Sequence, residues 1–293
     1  MIGNIDNLLN HTNDIFQKKE MKSIFVQIAV ISQILWDRGW AERNAGNFSI
    51  NVSGLFTSKE LDRLSFYPFF PLSKRYPELD RTVFLLSGTG TRMRDMAINP
   101  VENVCCVYIS DSGSAYHIID ENPEGTSAKP TSELATHLAI QQQLLQKKSL
   151  EKVVLHAHVT ELVALTQLAP FTSEKAVNSL LWGMHPETIL FLPDGVGFIP
   201  YTIPGTENIA MATLKGFENH KVVLWEKHGC MTVARTLSEA FDNLDILAKS
   251  AKIYFLCKST GQEPEGLNNL QLKEIRDYPP AEQPVYKKPD FSI

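Results

Sequence analysis

Val153-Val154-Leu155-His156-Ala157-His158 is the stretch on which the reading of the chain turns. Its aliphatic, β-branched start predicts a buried strand. Side chains alternate faces along a strand, so His156 and His158 point the same way, one pleat apart. Two imidazoles on one rigid face form a chelate for a transition metal and leave its coordination sphere incomplete. The best candidate for a third ligand is His228, in Leu224-Trp225-Glu226-Lys227-His228-Gly229, at the end of another apolar, strand-like run. Three neutral nitrogen ligands leave a tetrahedral ion open to water or substrate, the arrangement of a catalytic rather than a structural site. A His-X-His pair also arises from two ordinary histidines, so the neighbouring stretches decide.

Upstream, helical spacing of Ile24, Phe25, Ile28, Ile31, Leu35 and Trp36 predicts a helix over 21–38, with Gly39 placed to end it. In the next stretch Asn44 and Asn47 bracket Ala45-Gly46, just before a strand over 48–52. Amides and a glycine at a turn suit close approach to a phosphate or polyol, and suit a plain turn equally well. Residues 54–80 read as a charged and aromatic surface insertion or lid. A strand over 82–86 feeds Ser87-Gly88-Thr89-Gly90-Thr91; its hydroxyls and glycines can present donors to an anion, or form an ordinary corner. Two strands, 103–110 and 114–119, joined by Asp-Ser-Gly, read as a hairpin.

After the loop 121–130, Thr131 or Ser132 would cap a helix carrying Leu134, Leu138 and Leu145, with Glu133 in its first turn. His137 reads as an ordinary helix residue. Beyond His158 the pattern predicts helices over 162–168 and 174–182, then Glu187 just before a strand over 188–192. A helix to about Phe217, a strand over 222–225 and a Thr236–Glu239 capping box opening a long helix follow. A short helix near 267–275 precedes a polar, Pro-rich tail.

Composition narrows the function classes. Hydrophobic residues make up 43% and charged residues 21% of the chain, the balance of a globular protein with a sizeable core. A net charge of -5 speaks against nucleic-acid binding, which relies on a basic face. Cys105, Cys106, Cys230 and Cys257 follow neither a zinc-ribbon nor a disulfide framework and read as free thiols. Neither a signal peptide nor a membrane helix is expected, so a cytoplasmic location is.

Taken together, the motifs Gly39-Trp-Ala-Glu-Arg-Asn-Ala-Gly-Asn47, Thr131-Ser-Glu-Leu134, His156-Ala-His158, Phe191-Leu-Pro-Asp-Gly-Val-Gly197, Pro204-Gly-Thr206 and Trp225-Glu-Lys-His-Gly229 resemble the class II aldolase/adducin family over most of the chain, about 24–256. The resemblance implies an α/β fold, three-layer α/β/α with a mainly antiparallel central sheet. It implies one domain spanning 1–293, with 257–293 as a C-terminal extension. It also implies a homotetramer with sites between subunits, and one Zn²⁺ per subunit on His156, His158 and His228. The implied activity is reversible aldol cleavage of a small phosphorylated ketose. Glu133 falls on the catalytic carboxylate, and Glu187 on a second carboxylate offered by a neighbouring subunit. Asn44, Gly46, Asn47, Thr89 and Ser132 fall on positions around the phosphate and the ketose oxygens. Thr91 stands where a basic residue can follow the second glycine, which leaves the charge partner of the phosphate unassigned. Residues 55–81 have no counterpart in the family pattern. Two rival readings share the motifs: a non-catalytic adducin-like binding module, and a zinc hydrolase that activates water on the same histidines.

Overall fold

The computed structural model describes residues 16–119 and 128–278. Its strands are β1 (Asn47–Asn51), β2 (Phe69–Pro71), β3 (Val83–Ser87), β4 (Val104–Ser110), β5 (Ala115–Ile118), β6 (Val153–Ala157), β7 (Val196–Ile199), β8 (Val222–Trp225) and β9 (Gly229–Ala234). They form one sheet in the order β2-β5-β4-β3-β1-β6-β9-β8-β7. Neighbours run antiparallel except β7 and β8, which are parallel. The sheet is therefore mostly antiparallel, as the resemblance implies. The loop at 121–127 and the tail from 279 lie outside the described residues.

The alternation of side chains along each strand divides the core into two layers of packing. Val153, Leu155 and Ala157 of β6 join Phe48 and Ile50 of β1, under Phe25, Ile28 and Leu35 of the helix Lys19–Asp37 and Leu244 and Leu247 of the helix Leu237–Ser259. On the opposite face, Val154, Val223, Met231 and Val233 pack beneath Ile140 and Leu144 of the helix Leu134–Gln146 and Ile209 of the helix Glu207–Gly216. Further along that side, Phe84, Leu86, Cys105 and Val107 meet Leu138. Helices thus cover both faces, and a three-layer α/β/α arrangement follows from period-two burial. The helix Lys19–Asp37 ends as expected: Gly39 takes φ 70°, and the next amide, Trp40 N–H, donates to Leu35 O at 3.0 Å.

Several sequence expectations need correction. Residues 54–80, read as a surface insertion or lid, are mostly exposed but are tied into the fold. They form a short helix, Ser58–Leu64, and the edge strand β2, and they bury Leu64, Tyr76 and Leu79. The aromatic cluster read as a lid is a sheet edge closing one end of the core. The apolar run 188–192 is the end of a helix, Pro186–Phe191, rather than a strand. Pro186 at its first position suits a helix start, and only Thr188 and Ile189 are buried. The helix after Thr131 begins at Leu134, so Glu133 is its N-cap residue rather than a member of its first turn. Thr236 does cap its helix, accepting from Glu239 N–H at 3.1 Å, but the Glu239 carboxylate accepts from Arg235 N–H, so the box does not close. Cys105, Cys106, Cys230 and Cys257 are free thiols, the first three buried. No helix among the described residues is long and apolar enough to cross a membrane.

Leu155, fully buried in the central strand, and Leu150, 63% exposed in the turn before it, provide a paired test of this packing. Leu155→Ala should lower unfolding free energy by about 2–5 kcal/mol, and Leu150→Ala should stay within about 0.5 kcal/mol. Equilibrium denaturation in urea measures both.

Candidate active site

Strand β6 ends at Ala157, so His156 is set in the sheet and His158 lies just past it, tied by its backbone N–H to Trp40 O at 2.8 Å. His228 arrives from the turn between β8 and β9. Because β9 pairs with β6, with Met231 opposite His156 and Cys230 opposite Ala157, that turn closes directly over the end of β6. Two backbone features allow the close approach. Lys227 adopts φ 60°, a left-handed conformation uncommon for a side-chain-bearing residue. A Cβ at Gly229 would stand 2.7 Å from Ala157 O and 3.0 Å from His158 Cδ2, so only glycine fits. The three imidazole centroids lie 5.1 Å (His156–His158), 5.4 Å (His156–His228) and 4.9 Å (His158–His228) apart. One nitrogen from each ring falls within 4.8 Å of the others.

The remaining ring nitrogens show which tautomers are held. His156 Nδ1–H donates to Cys230 O at 2.9 Å, and His158 Nδ1–H donates to Glu42 Oε1 at 2.7 Å. Both partners accept, so the protons sit on Nδ1 and the Nε2 lone pairs are free, as in metal-ligating histidines. His228 Nδ1 is buried without a hydrogen-bond partner. Burial, reinforced by the neighbouring His158, pushes the His156 pKa down to about 3. Burial and His158 also lower that of His228, against the opposing charge of Glu133. The His156 and His228 rings are therefore neutral near pH 7. Three clustered ring nitrogens and an orphaned buried ring atom fit a divalent metal with nitrogen preference.

Glu133 approaches this cluster from the other side. Its side chain makes no capping bond to its own helix; instead Oε2 accepts from Asn47 Nδ2 at 3.1 Å. Asn47 lies opposite His156 in the β1–β6 ladder, so its side chain shares the face of His156. The segment before Glu133 is stitched to the Ser87–Thr91 loop: Thr131 N–H donates to Ser87 O at 3.0 Å and Thr89 N–H to Lys129 O at 2.8 Å. Ser87 Oγ in turn accepts from Phe48 N–H at 3.2 Å. The stretches carrying Asn47, Thr89, Ser132 and Glu133 therefore converge.

Asn44, Thr89 and Ser132 are exposed and able to meet a ligand. Gly46 takes φ 78°, and a Cβ there would stand 3.3–3.4 Å from Ala41 Cβ, Met93 Cε and His156 O, so it is a glycine seat beside the cluster. Glu187 is not brought to these histidines. It is exposed on the helix Pro186–Phe191, where its carboxylate pairs with His185 Nε2 at 3.0 Å. A cavity of about 440 Å³ opens before His158 and His228, lined also by Glu42, Thr160, Tyr201 and Lys227. Three residues given no role from sequence thus enter the site region: Glu42 behind His158, Lys227 at the cavity, and His137 behind Asn47. Only His137 carried a usable signal, lying one helical turn beyond Glu133.

Residues 26–255 match the family model described as "Class II Aldolase and Adducin N-terminal domain". The chain is 39% identical over 255 residues to a protein of Bacteroides thetaiotaomicron named rhamnulose-1-phosphate aldolase, covering 85% of this chain and 91% of that one. A protein of the same name from Yersinia pseudotuberculosis is 34% identical over 242 residues, 81% of this chain and 86% of the relative. Among solved structures, a sugar-phosphate aldolase from Thermotoga maritima superposes with a TM-score of 0.70 at 27% identity, covering 84% of this chain and all of the other.

The geometry makes metal retention depend on the hairpin as well as on the ligands. His156→Ala and His228→Ala should each lose bound metal. Gly229→Ala, which forces the β9 backbone away from Ala157 and His158, should weaken retention although no ligand is altered. Elemental analysis after dialysis measures all three, and wild-type content in any of them would contradict this reading.

Proposed function

Because the chain belongs to the class II aldolase and adducin family, we propose that it is a zinc-dependent aldolase that cleaves L-rhamnulose 1-phosphate reversibly into dihydroxyacetone phosphate and L-lactaldehyde. The observation that carries this reading is the carboxylate of Glu133, held on the same face as His156 by Asn47. A metal site alone is compatible with several chemistries. A separately held carboxylate beside it is what aldol cleavage requires. The two relatives named rhamnulose-1-phosphate aldolase support the choice of sugar.

Breaking a carbon–carbon bond next to a ketone leaves negative charge on the fragment that keeps the carbonyl. When bound by His156, His158 and His228, Zn²⁺ supplies Lewis-acid stabilisation of that charge at the carbonyl and hydroxyl oxygens. Glu133 moves the proton at carbon, with Oε2 anchored by Asn47 and Oε1 left to face the substrate. Asn44, Gly46, Thr89 and Ser132 hold the phosphate and the ketose oxygens, contributing orientation rather than bond chemistry. Asn47 serves here mainly through Glu133, because both ends of its amide are engaged inside the protein. Lys227 brings a cation to the cavity, although its Nζ pairs with Glu226 at 3.0 Å.

The hydroxyl at the breaking bond must give up its proton as it becomes the aldehyde and regain it in condensation. This oxygen therefore needs its own acid–base group, an acceptor in cleavage and a donor in the reverse direction. We assign this to Glu187 of a neighbouring subunit in a homotetramer. Its exposure, away from its own histidines, suits a residue that acts across a boundary. A cytoplasmic location and a single domain with a C-terminal extension complete the proposal.

Incubation with a panel of ketose 1-phosphates, detecting dihydroxyacetone phosphate and the aldehyde, tests the assignment. L-rhamnulose 1-phosphate should be the preferred substrate. Preference for L-fuculose 1-phosphate, epimerisation without cleavage, or release of inorganic phosphate would each replace it. Glu133→Gln should retain metal and lose turnover by about 10²–10⁴-fold. Glu133→Gln and Glu187→Gln chains, each inactive alone, should recover part of the activity after dissociation and mixing. Verified mixed oligomers that regain nothing would place Glu187 outside its neighbour's site.

A further inference from the structure

A file of side chains runs behind Glu133, and from Gln141 through Ser49, His137 and Asn47 each hydrogen bond donates toward the carboxylate. Glu133 Oε2 accepts, so the Nδ2 amide of Asn47 faces it at 3.1 Å and Asn47 Oδ1 faces inward. That oxygen lies 2.6 Å from His137 Nε2, which must therefore carry the ring proton. His137 Nδ1 is then an acceptor, at 3.0 Å from Ser49 Oγ. Ser49 Oγ spends its hydrogen on the ring and accepts in turn from Gln141 Nε2 at 3.0 Å. The second Gln141 hydrogen goes to Lys152 O at 3.1 Å, which anchors the far end to the backbone. Gln141, Ser49 and His137 are 1%, 1% and 0% exposed, so bulk water does not reach these three.

From this geometry we infer that His137 is a positioning residue for Glu133: as the neutral Nε2–H tautomer it fixes the orientation of the Asn47 amide, and so presents an N–H rather than a carbonyl to the carboxylate. The inference rests on the reading of Glu133 as the proton-transfer group. An Asn side chain can rotate to exchange its oxygen and nitrogen at little steric cost. The flipped amide would set two acceptors, Asn47 Oδ1 and Glu133 Oε2, against each other. A ring donor at Oδ1 makes that flip costly, because it would face N–H against N–H in a dry site. The helix Leu134–Gln146 supplies Glu133, His137 and Gln141 at successive four-residue steps, which lie on one helix face. Strand β1 supplies Asn47 and Ser49 at a two-residue step, which lie on one sheet face. The two periodicities interdigitate to build the file.

Four measurements on the full-length protein test the role. Nitrogen-15 imidazole spectra should show His137 protonated on Nε2 and bare on Nδ1; the opposite tautomer overturns the proposal, whatever the substrate. His137→Leu should lower kcat by about 10–100-fold, the usual cost of losing an outer-shell partner, with KM and zinc content within about two-fold of wild type. His137→Gln, which can keep an N–H near the Nε2 position, should recover part of the loss. In a Glu133→Gln background the His137→Leu change should cost nothing more. An equal further loss there, a fall in zinc content matching the fall in rate, or wild-type turnover in His137→Leu would show that His137 does not act through Glu133. If the wild-type protein cleaves no ketose 1-phosphate, the proposed function fails, while the tautomer still decides the file.

Discussion

The antiparallel pairing of β1 with β6 sets Asn47 opposite His156, and the site depends on that register. The pair joins the two halves of the site: one strand delivers a histidine of the cluster that could hold a metal, and the other delivers the amide that holds a carboxylate. Along β1 the alternation is strict, with Phe48 and Ile50 in one core layer and Asn47 and Ser49 turned to the other face. A slip of one residue would bury Asn47 in hydrocarbon and bring Phe48 against His156. It would also leave His137 and Gln141 without partners. The hydrophobic layer therefore enforces the polar geometry, since a one-residue shift exchanges every side chain between faces.

Local backbone strain and exclusion of bulk do the rest. The β8–β9 turn reaches the His156/His158 pair only because Gly229 has no Cβ and Lys227 accepts a left-handed φ. Lys227 N–H is secured by Thr166 Oγ1 at 2.8 Å, and the Trp225 ring packs 4.7 Å from His156 while its Nε1–H donates to Thr213 Oγ1 at 2.9 Å. Such conformations persist where surrounding contacts over-determine them. The Nδ1 partners of His156 and His158 do the same for the rings, holding both in fixed orientations.

The legible parts of this arrangement were those with a short sequence period. His156 and His158 could be placed on one face from strand alternation, and the Asp111-Ser112-Gly113 hairpin and the Val222–Trp225 strand stand where local pattern puts them. Features set by tertiary contact were not legible. The 55–81 segment looks like surface because its charged residues outnumber Leu64, Tyr76 and Leu79, yet these three are buried. The apolar run at 188–192 reads as a strand because short apolar runs do not distinguish strand from helix, although Pro186 stands at a position that suits a helix start. His137 reads as ordinary because its partners, Ser49 and Asn47, are distant in sequence and their approach is created by the helix crossing the sheet.

Anomalous diffraction at the zinc absorption edge, from crystals of the zinc-loaded protein, is the most direct test of a preformed three-histidine centre beside the Asn47-held carboxylate. The account predicts one strong site per chain, bonded to His156, His158 and His228 at about 2.0–2.1 Å, with Asn47 still opposite His156. A zinc ion bound by fewer than these three side chains, or a β1–β6 register in which Asn47 no longer faces His156, would contradict it.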